Sequence, residues 1–389
     1  MINPSRHQAV ATDELASAIS EVSVEILVAI FREAFRWNSA KISYTISHVS
    51  RTWSAVALND PLLWNTIHLT GSKPSYFTQL CLTRSKQSDL RVLYEKHVDV
   101  EFDGALVPPF DPAIFYLPRC HRLELYFHNR VDAFAVLEAL KNARAPKLAC
   151  FELEIGGIPE HWPKSHYPGS IFTGGAPLLT AAALKSVGIS QCRVPLSNIT
   201  TLSLKGCSPE SGHYPYLNPF ASEFVDILRE AAPTLQCLTL DGGQVFSRKD
   251  KPWSVVELPA LTTLSFGNTA VDNREAFKDY PRGFWKFVKM PRLGDLSLHS
   301  IDLALLQEIW STLEGHRGAR IKALSLYRIQ ELHELDKGVH EIFTNIHSLA
   351  IDCSVVHGIL ANIVYADKKC TGSRSPPVWP LLEAIRGCE

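Results

Sequence analysis

Pro291-Arg292-Leu293-Gly294-Asp295-Leu296-Ser297-Leu298-His299 carries the pattern on which the fold turns. Three leucines fall at spacings of three and two, and the last two alternate with polar residues. That is the period of a short strand with one buried face. The same pattern recurs in chain order at Cys120/Leu123/Leu125, Leu148/Phe151/Leu153, Leu184/Val187/Ile189 and Ile199/Leu202/Leu204. It continues through Leu235/Leu238/Leu240, Leu261/Leu264/Phe266, Ile321/Leu324/Leu326 and Ile346/Leu349/Ile351. Pro118, Pro146, Pro233, Pro259 and Pro291 each stand two residues before the first apolar position. A proline cannot donate to a sheet ladder, so it marks the turn into each strand.

Segments of helical period lie between these strands. Asp132 to Asn142 carries Phe134, Leu137 and Leu140 as its stripe, and Phe220 to Ala232 carries Phe224, Ile227, Leu228 and Ala231. A third starts at Asp302, placed as an N-cap, and carries Leu305, Leu306, Ile309 and Leu313. Strand-then-helix units at intervals of about 25 to 36 residues, with one interval of 15, resemble a leucine-rich-repeat solenoid. The usual Asn or Cys after the strand is mostly missing. Leu90, Val92 and Tyr94 read as an earlier strand, Val107 to Pro112 as a loop, and Thr371 to Pro377 as another loop before a weak last repeat at Pro380/Leu382/Ile385.

Toward the N-terminus the period changes. Val22-Ser23-Val24-Glu25-Ile26-Leu27-Val28-Ala29-Ile30-Phe31 puts Ile26, Leu27, Ile30, Phe31 and Ala34 on one helical stripe, and Ile46, Val49, Trp53 and Val56 form a second. A tract this short buries itself poorly, so spare apolar surface is expected and a partner is a natural way to cover it. With Ser50-Arg51-Thr52-Trp53 and the closing Pro61-Leu62-Leu63-Trp64, Ile67 and Leu69, the tract resembles an F-box. It departs where Val22 and Ser23 replace the usual Leu-Pro, and Ser23 is placed instead as an N-cap. An ordinary helical hairpin is the plainer account of the same residues.

The division that follows is an N-terminal tail (1–20), an F-box (21–69), a linker with a first irregular repeat (70–117) and a leucine-rich-repeat-like region (118–389). The expected fold class is α/β, a small helical F-box followed by a solenoid with a parallel sheet. An F-box joined to an irregular leucine-rich array resembles a large class of fungal F-box proteins. The resemblance implies a substrate-recognition subunit of a Skp–cullin–F-box-type ubiquitin ligase. Its partners would be a Skp-type adaptor, through it a cullin, and an unknown protein substrate. It places adaptor contacts at Val22, Ser23, Ile26, Leu27, Ile30, Val49, Trp53 and Trp64. A repeat scaffold unconnected with ubiquitin, its helical tract serving only as an end cap, is the alternative.

Composition sets bounds on function. The chain has 389 residues, 46% of them apolar, with a formal net charge of −1, so it is globular and lacks the basic field of a nucleic-acid binder. Met1 to Ser20 does not have the layout of a signal peptide, and no apolar run is long enough to span a bilayer. Nine cysteines, irregularly spaced and without a Cys-x-x-Cys pair, imply reduced thiols in the cytoplasm or nucleus. Cys150, Cys207 and Cys353 read as small buried hydrophobes.

No catalytic or cofactor constellation is evident. Glycine-rich phosphate cradles are missing, and His333-Glu334 lacks the second histidine of a zinc helix. His161 and His166 read as solvated loop residues rather than metal ligands, and Glu152/Glu154 as a charged strand face rather than an acid–base pair. The chain is therefore expected to be non-catalytic. Binding is placed on the outward strand positions: Glu124, Glu152, Gly188, Ser203, Thr239, Ser265, Ser297, Ser325 and Ala350 form the floor of the concave face. Tyr126, Glu154, Lys205, Asp241, His299, Tyr327 and Asp352 line one edge, and substrate contacts are expected at Tyr126, Asp241, His299, Tyr327 and Asp352.

Overall fold

The computed structural model describes residues 22–70, 74–96, 111, 115–128, 130–156, 169–206, 219–242, 245, 253–267, 279–313, 320–329, 343–352 and 381–388. The tail 1–20, the prolines at 108 and 109, the loop carrying His161, His166 and Tyr167, the His333-Glu334 pair and the Thr371 to Pro377 loop lie outside the described residues. The first strands are β1 (Thr66–Leu69), β2 (Leu90–Lys96), β3 (Cys120–Phe127), β4 (Cys150–Ile155), β5 (Gly169–Ser170) and β6 (Ala181–Lys185). Then come β7 (Cys192–Arg193), β8 (Thr201–Lys205), β9 (Cys237–Asp241), β10 (Val256–Glu257) and β11 (Thr263–Gly267). The last are β12 (Val288–Lys289), β13 (Asp295–His299), β14 (Ala323–Tyr327), β15 (Ser348–Asp352) and β16 (Ala384–Cys388). Twelve of them form one parallel sheet in the order β1-β2-β3-β4-β6-β8-β9-β11-β13-β14-β15-β16. Spatial order is chain order, the layout of a solenoid. The short strands β5 with β7 and β10 with β12 make two separate pairs.

Register keeps like positions together. The apolar pairs Leu202/Leu204, Leu238/Leu240, Leu264/Phe266, Leu296/Leu298 and Leu324/Leu326 stand opposite one another across successive strands, and all are buried. Just before each strand a backbone amide donates to the preceding repeat: Thr180 to Ala149 at 3.0 Å, Thr200 to Thr180 at 2.8 Å, Gln236 to Thr200 at 2.8 Å and Thr262 to Gln236 at 2.9 Å. These bonds carry the ladder into the turn, where the first apolar residue of each pattern is also buried.

One repeat sits elsewhere than the pattern placed it. The strand near residue 184 is β6, and its inward residues are Ala182 and Leu184, opposite Leu202 and Leu204. The triad is thus Leu179/Ala182/Leu184, with Pro177 two residues before it, and Val187 and Ile189 are buried after the strand. Ala183, not Gly188, is the floor residue. The short interval becomes 20 residues, Ala182 to Leu202, against 36 from Leu202 to Leu238. At the other end β16 pairs with β15, Ile385 opposite Leu349, so the weak last repeat is a strand of the same sheet.

The described helices are α1 (Val24–Ile46), α2 (Arg51–Asn59), α3 (Tyr76–Arg84), α4 (Arg130–Leu140), α5 (Ala221–Ala231), α6 (Asp279–Phe287) and α7 (Leu303–Leu313). The last four cross between neighbouring strands; α4, α5 and α7 bury the stripes the periodicity assigns, except that Phe134 is only half-buried while Ala133 and Val136 are buried, and α6 carries no stripe assigned from the sequence. Asp302 caps α7, its Oδ1 accepting from the Leu305 amide at 2.8 Å. No helix among the described residues is long and apolar enough to cross a membrane.

The N-terminal helices pack less simply than two stripes. On α1, Leu27 and Phe31 are buried at 3% and 1% exposure, whereas Ile26 and Ile30 point outward at 55% and 51%. The second stripe is broken by a turn: Ile46 ends α1, Val49 is exposed in the turn, and α2 restarts at Ser50, whose hydroxyl accepts from the Trp53 amide at 3.1 Å. Ser23 does occupy the N-cap of α1, but its side chain makes no capping bond to the helix amides. Trp53 is half-buried against Phe31, ring centroids 4.9 Å apart.

Asp60 ties these pieces together. It takes two bonds from Arg32, at 2.8 and 3.1 Å, and accepts from the Leu62 amide at 3.2 Å, starting the 3-10 turn Pro61–Trp64. Trp64 is fully buried, donates to the Ala57 carbonyl at 2.8 Å and lies 4.2 Å beneath the Arg84 guanidinium. Ile67 and Leu69 belong to β1, the first strand of the large sheet, so the helical tract runs into the repeat array without a break. Thr78 on α3 donates to the His68 carbonyl at 2.8 Å, fastening α3 to β1. Trp64→Ala should therefore destabilise the N-terminal end by about 3–5 kcal/mol, and Trp53→Ala by less, a ranking that equilibrium denaturation with a fluorescence readout checks.

Candidate functional site

The outward residues of the sheet align in rows. The floor runs His68, Leu93, Glu124, Glu152, Ala183, Ser203, Thr239, Ser265, Ser297, Ser325 and Ala350, each in register with the next. A parallel row runs Glu95, Tyr126, Glu154, Lys185, Lys205, Asp241, Gly267, His299 and Tyr327. Substrate positions Tyr126, Asp241, His299 and Tyr327 thus share one row. Asp352 is the corresponding last residue of β15, and its side chain lies outside the described residues.

Toward the N-terminal side the open face is bound by ion pairs. Glu124 is buried and accepts two bonds from Arg91, at 2.8 and 2.9 Å, while Arg122 bridges Glu124 to Glu152. Burial pushes the Glu124 carboxyl up, but the hydrogen bonds from Arg91 and Arg122 outweigh it and hold the group below its ordinary value. Glu124 and Glu152 therefore act as charged strand residues within an Arg–Glu chain. Glu154 pairs with Lys185 at 2.5 Å.

Between the acidic and serine-lined stretches the floor drops. Ala183 presents only a methyl group, and a hollow of about 260 Å³ opens over it. Tyr126, Glu152 and Glu154 form one wall; Lys185, Lys205 and Ser203 form the other. Burial, and then the nearby Glu124, Glu152 and Glu154, push the Tyr126 phenol up, so it stays neutral and able to donate.

Farther along, Gly267 brings two of the expected residues together. A Cβ built at Gly267 would lie 1.8 Å from the His299 ring, so the imidazole lies across this glycine. Its Nδ1 comes to 3.9 Å from Asp241 Oδ1, near enough for charge attraction but too far for a hydrogen bond. Burial lowers the His299 pKa most; Asp241 opposes this, and Lys205 and Arg328 add to the lowering. Among the described residues no group of three or more His, Cys, Asp or Glu is placed to hold a metal ion. The buried thiols of Cys81, Cys120 and Cys192 are all pushed up by burial, the reverse of activation.

The expected adaptor residues separate by burial. Leu27 and Trp64 are core, Val22 and Trp53 are half-buried, and Ser23, Ile26, Ile30 and Val49 are exposed. Val24, Tyr44, Leu58 and Leu62 add exposed apolar surface that periodicity did not single out. On the sheet, Ala183 and Lys185 were missed because the pattern was set on Val187 and Ile189; Pro177 was the signal that marks the correct strand. No protein-family model matches the chain, and no curated protein matches it.

His299 has a lowered folded pKa, so between that value and about 6.5 the unfolded chain binds more protons. Its contribution to stability is fully present above about pH 6.5 and is lost as pH falls toward the folded pKa. His299→Phe should flatten the slope of stability against pH between about 5 and 7, as chemical denaturation at stepped pH measures. Gly267→Ala should push the ring off the strand and move the His299 titration upward toward its ordinary value, followed by proton NMR of the imidazole.

Proposed function

We propose that this chain is the substrate-recognition subunit of a Skp–cullin–F-box-type ubiquitin ligase, working in the cytoplasm or nucleus. The N-terminal helices dock the adaptor, and the open face of the repeat array holds the target protein. The observation that carries the reading is the outward apolar surface of α1: Ile26 and Ile30, one turn apart, stay exposed although Leu27 and Phe31 beside them are buried. Exposed apolar neighbours on a packed helix are the kind of surface a partner covers. The resemblance of the ordered pattern from Val22 to Leu69 to an F-box points to a Skp-type adaptor as that partner. Catalysis then belongs to other subunits, and this chain's task is positioning, which raises the effective concentration of a substrate lysine near the charged enzyme.

A second reading has support of its own. The helical tract leads directly into β1 of the same sheet, and α3 fastens onto that strand through Thr78, as the end cap of a repeat scaffold would. Co-expression with a Skp-type adaptor separates the two. Under the first reading a one-to-one complex survives size exclusion, and Ile26→Asp with Ile30→Asp removes it while the melting temperature stays within about 2 °C, both sites being exposed. No complex with the wild-type chain, or an equal one with the double variant, would leave the scaffold reading standing.

A further inference from the structure

The hollow over Ala183 is a depression on the open face where one charge is left over. Lys185 and Lys205 line it opposite Glu152 and Glu154, and Arg122 reaches Glu152 from outside the hollow. Each carboxylate is already paired, Glu152 with Arg122 and Glu154 with Lys185. The Lys205 ammonium is in no ion pair among the described residues. Asp241 stands opposite Lys205 in register, yet its carboxylate is turned to His299 across Gly267. The chain as a whole is slightly negative, but charges farther off than about 8 Å are screened at physiological salt, so the groups that line the hollow decide what enters.

Size narrows the choice. A volume of about 260 Å³ falls below the roughly 300–1,000 Å³ of pockets that enclose cofactors and drug-sized ligands. One side chain fits, its stem on the Ala183 methyl and the aliphatic part of Lys185. Donors surround its tip: Lys205, the Ser203 hydroxyl and the neutral Tyr126 phenol. They converge only because Ala183 leaves the space between them empty. Either neighbour's residue type, Glu152 or Ser203, would fill part of it.

We infer that this hollow seats the carboxylate of a Glu or Asp side chain carried by a protein segment lying along the open face. The inference rests on the reading of that face as the substrate surface, and it names the chemistry recognised there.

The full chain is passed over three immobilised libraries of capped nonapeptides with random flanks and a central Glu, Gln or Lys. Wild type should be retained several-fold more on Glu than on Gln. Lys205→Glu should invert the preference toward Lys, and Ala183→Leu, which fills the hollow, should abolish it, both with unchanged circular dichroism. No preference in the wild type, or an unaltered one in Lys205→Glu, overturns the inference. So does competition by capped free glutamate as strong as by the peptides, which would make the ligand a small anion. Adaptor binding of the same variants is measured alongside. A wild type that binds no adaptor removes the ligase reading and leaves the hollow's chemistry standing, while a wild type that binds the adaptor but shows no peptide preference removes the hollow alone.

Discussion

Everything in this molecule depends on short parallel strands being held in register from one repeat to the next. From β6 to β14 each strand of the large sheet contributes only two inward side chains, too few to form a core alone. The amide-to-carbonyl bonds at the strand starts, such as Gln236 to Thr200 and Thr262 to Gln236, align those pairs so that leucine stacks on leucine along the array. Burial then adds along the row, each side chain worth about 1.5–3 kcal/mol. The same alignment leaves the outward side chains in rows as well, so the constraint that builds the core also builds the open face.

That face is uneven because the outward rows, unlike the inward ones, need not repeat. Glu124 and Glu152 are acceptable side by side only because Arg91 and Arg122 reach across the strands to them. Like charges directly opposite in a sheet otherwise oppose pairing. Past Ala183 the floor becomes hydroxyl-bearing and nearly level, and Gly267 lets the His299 ring lie flat toward Asp241. Short side chains at two places, Ala183 and Gly267, thereby set where a partner's side chain can approach the backbone.

The N-terminal helices share one apolar core with the array, and polar contacts add to it. Asp60 joins Arg32 on α1 to the turn before β1, and Trp64 is held between the Ala57 carbonyl and Arg84. These contacts use the inward side of α1 and leave Ile26 and Ile30 outside. A helical tract fixed on one side and apolar on the other suits the joining of two bodies, whichever partner it meets.

The strand-and-helix alternation, the direction of every leucine pair but one, and the α5 and α7 stripes were legible in the sequence, because period-two and period-3.6 burial leave local marks. The exception, β6, was misplaced because Ala181-Ala182-Ala183 carries too little apolar contrast to reveal a period, while Val187 and Ile189 beyond it supply a false one. The split of the α1 stripe was likewise illegible: which of two adjacent apolar residues turns inward depends on the crossing of α1 with α2 and the Pro61–Trp64 turn. Sequence by itself determined the repeat, the helical N-terminal tract and the shared row of Tyr126, Asp241, His299 and Tyr327. Only the tertiary structure decided that Arg122 spans two strands, that Asp241 faces His299 and that a hollow opens over Ala183. Those contacts join residues 30 to 58 positions apart, and no local pattern records a distance that is set by how separate repeats stack.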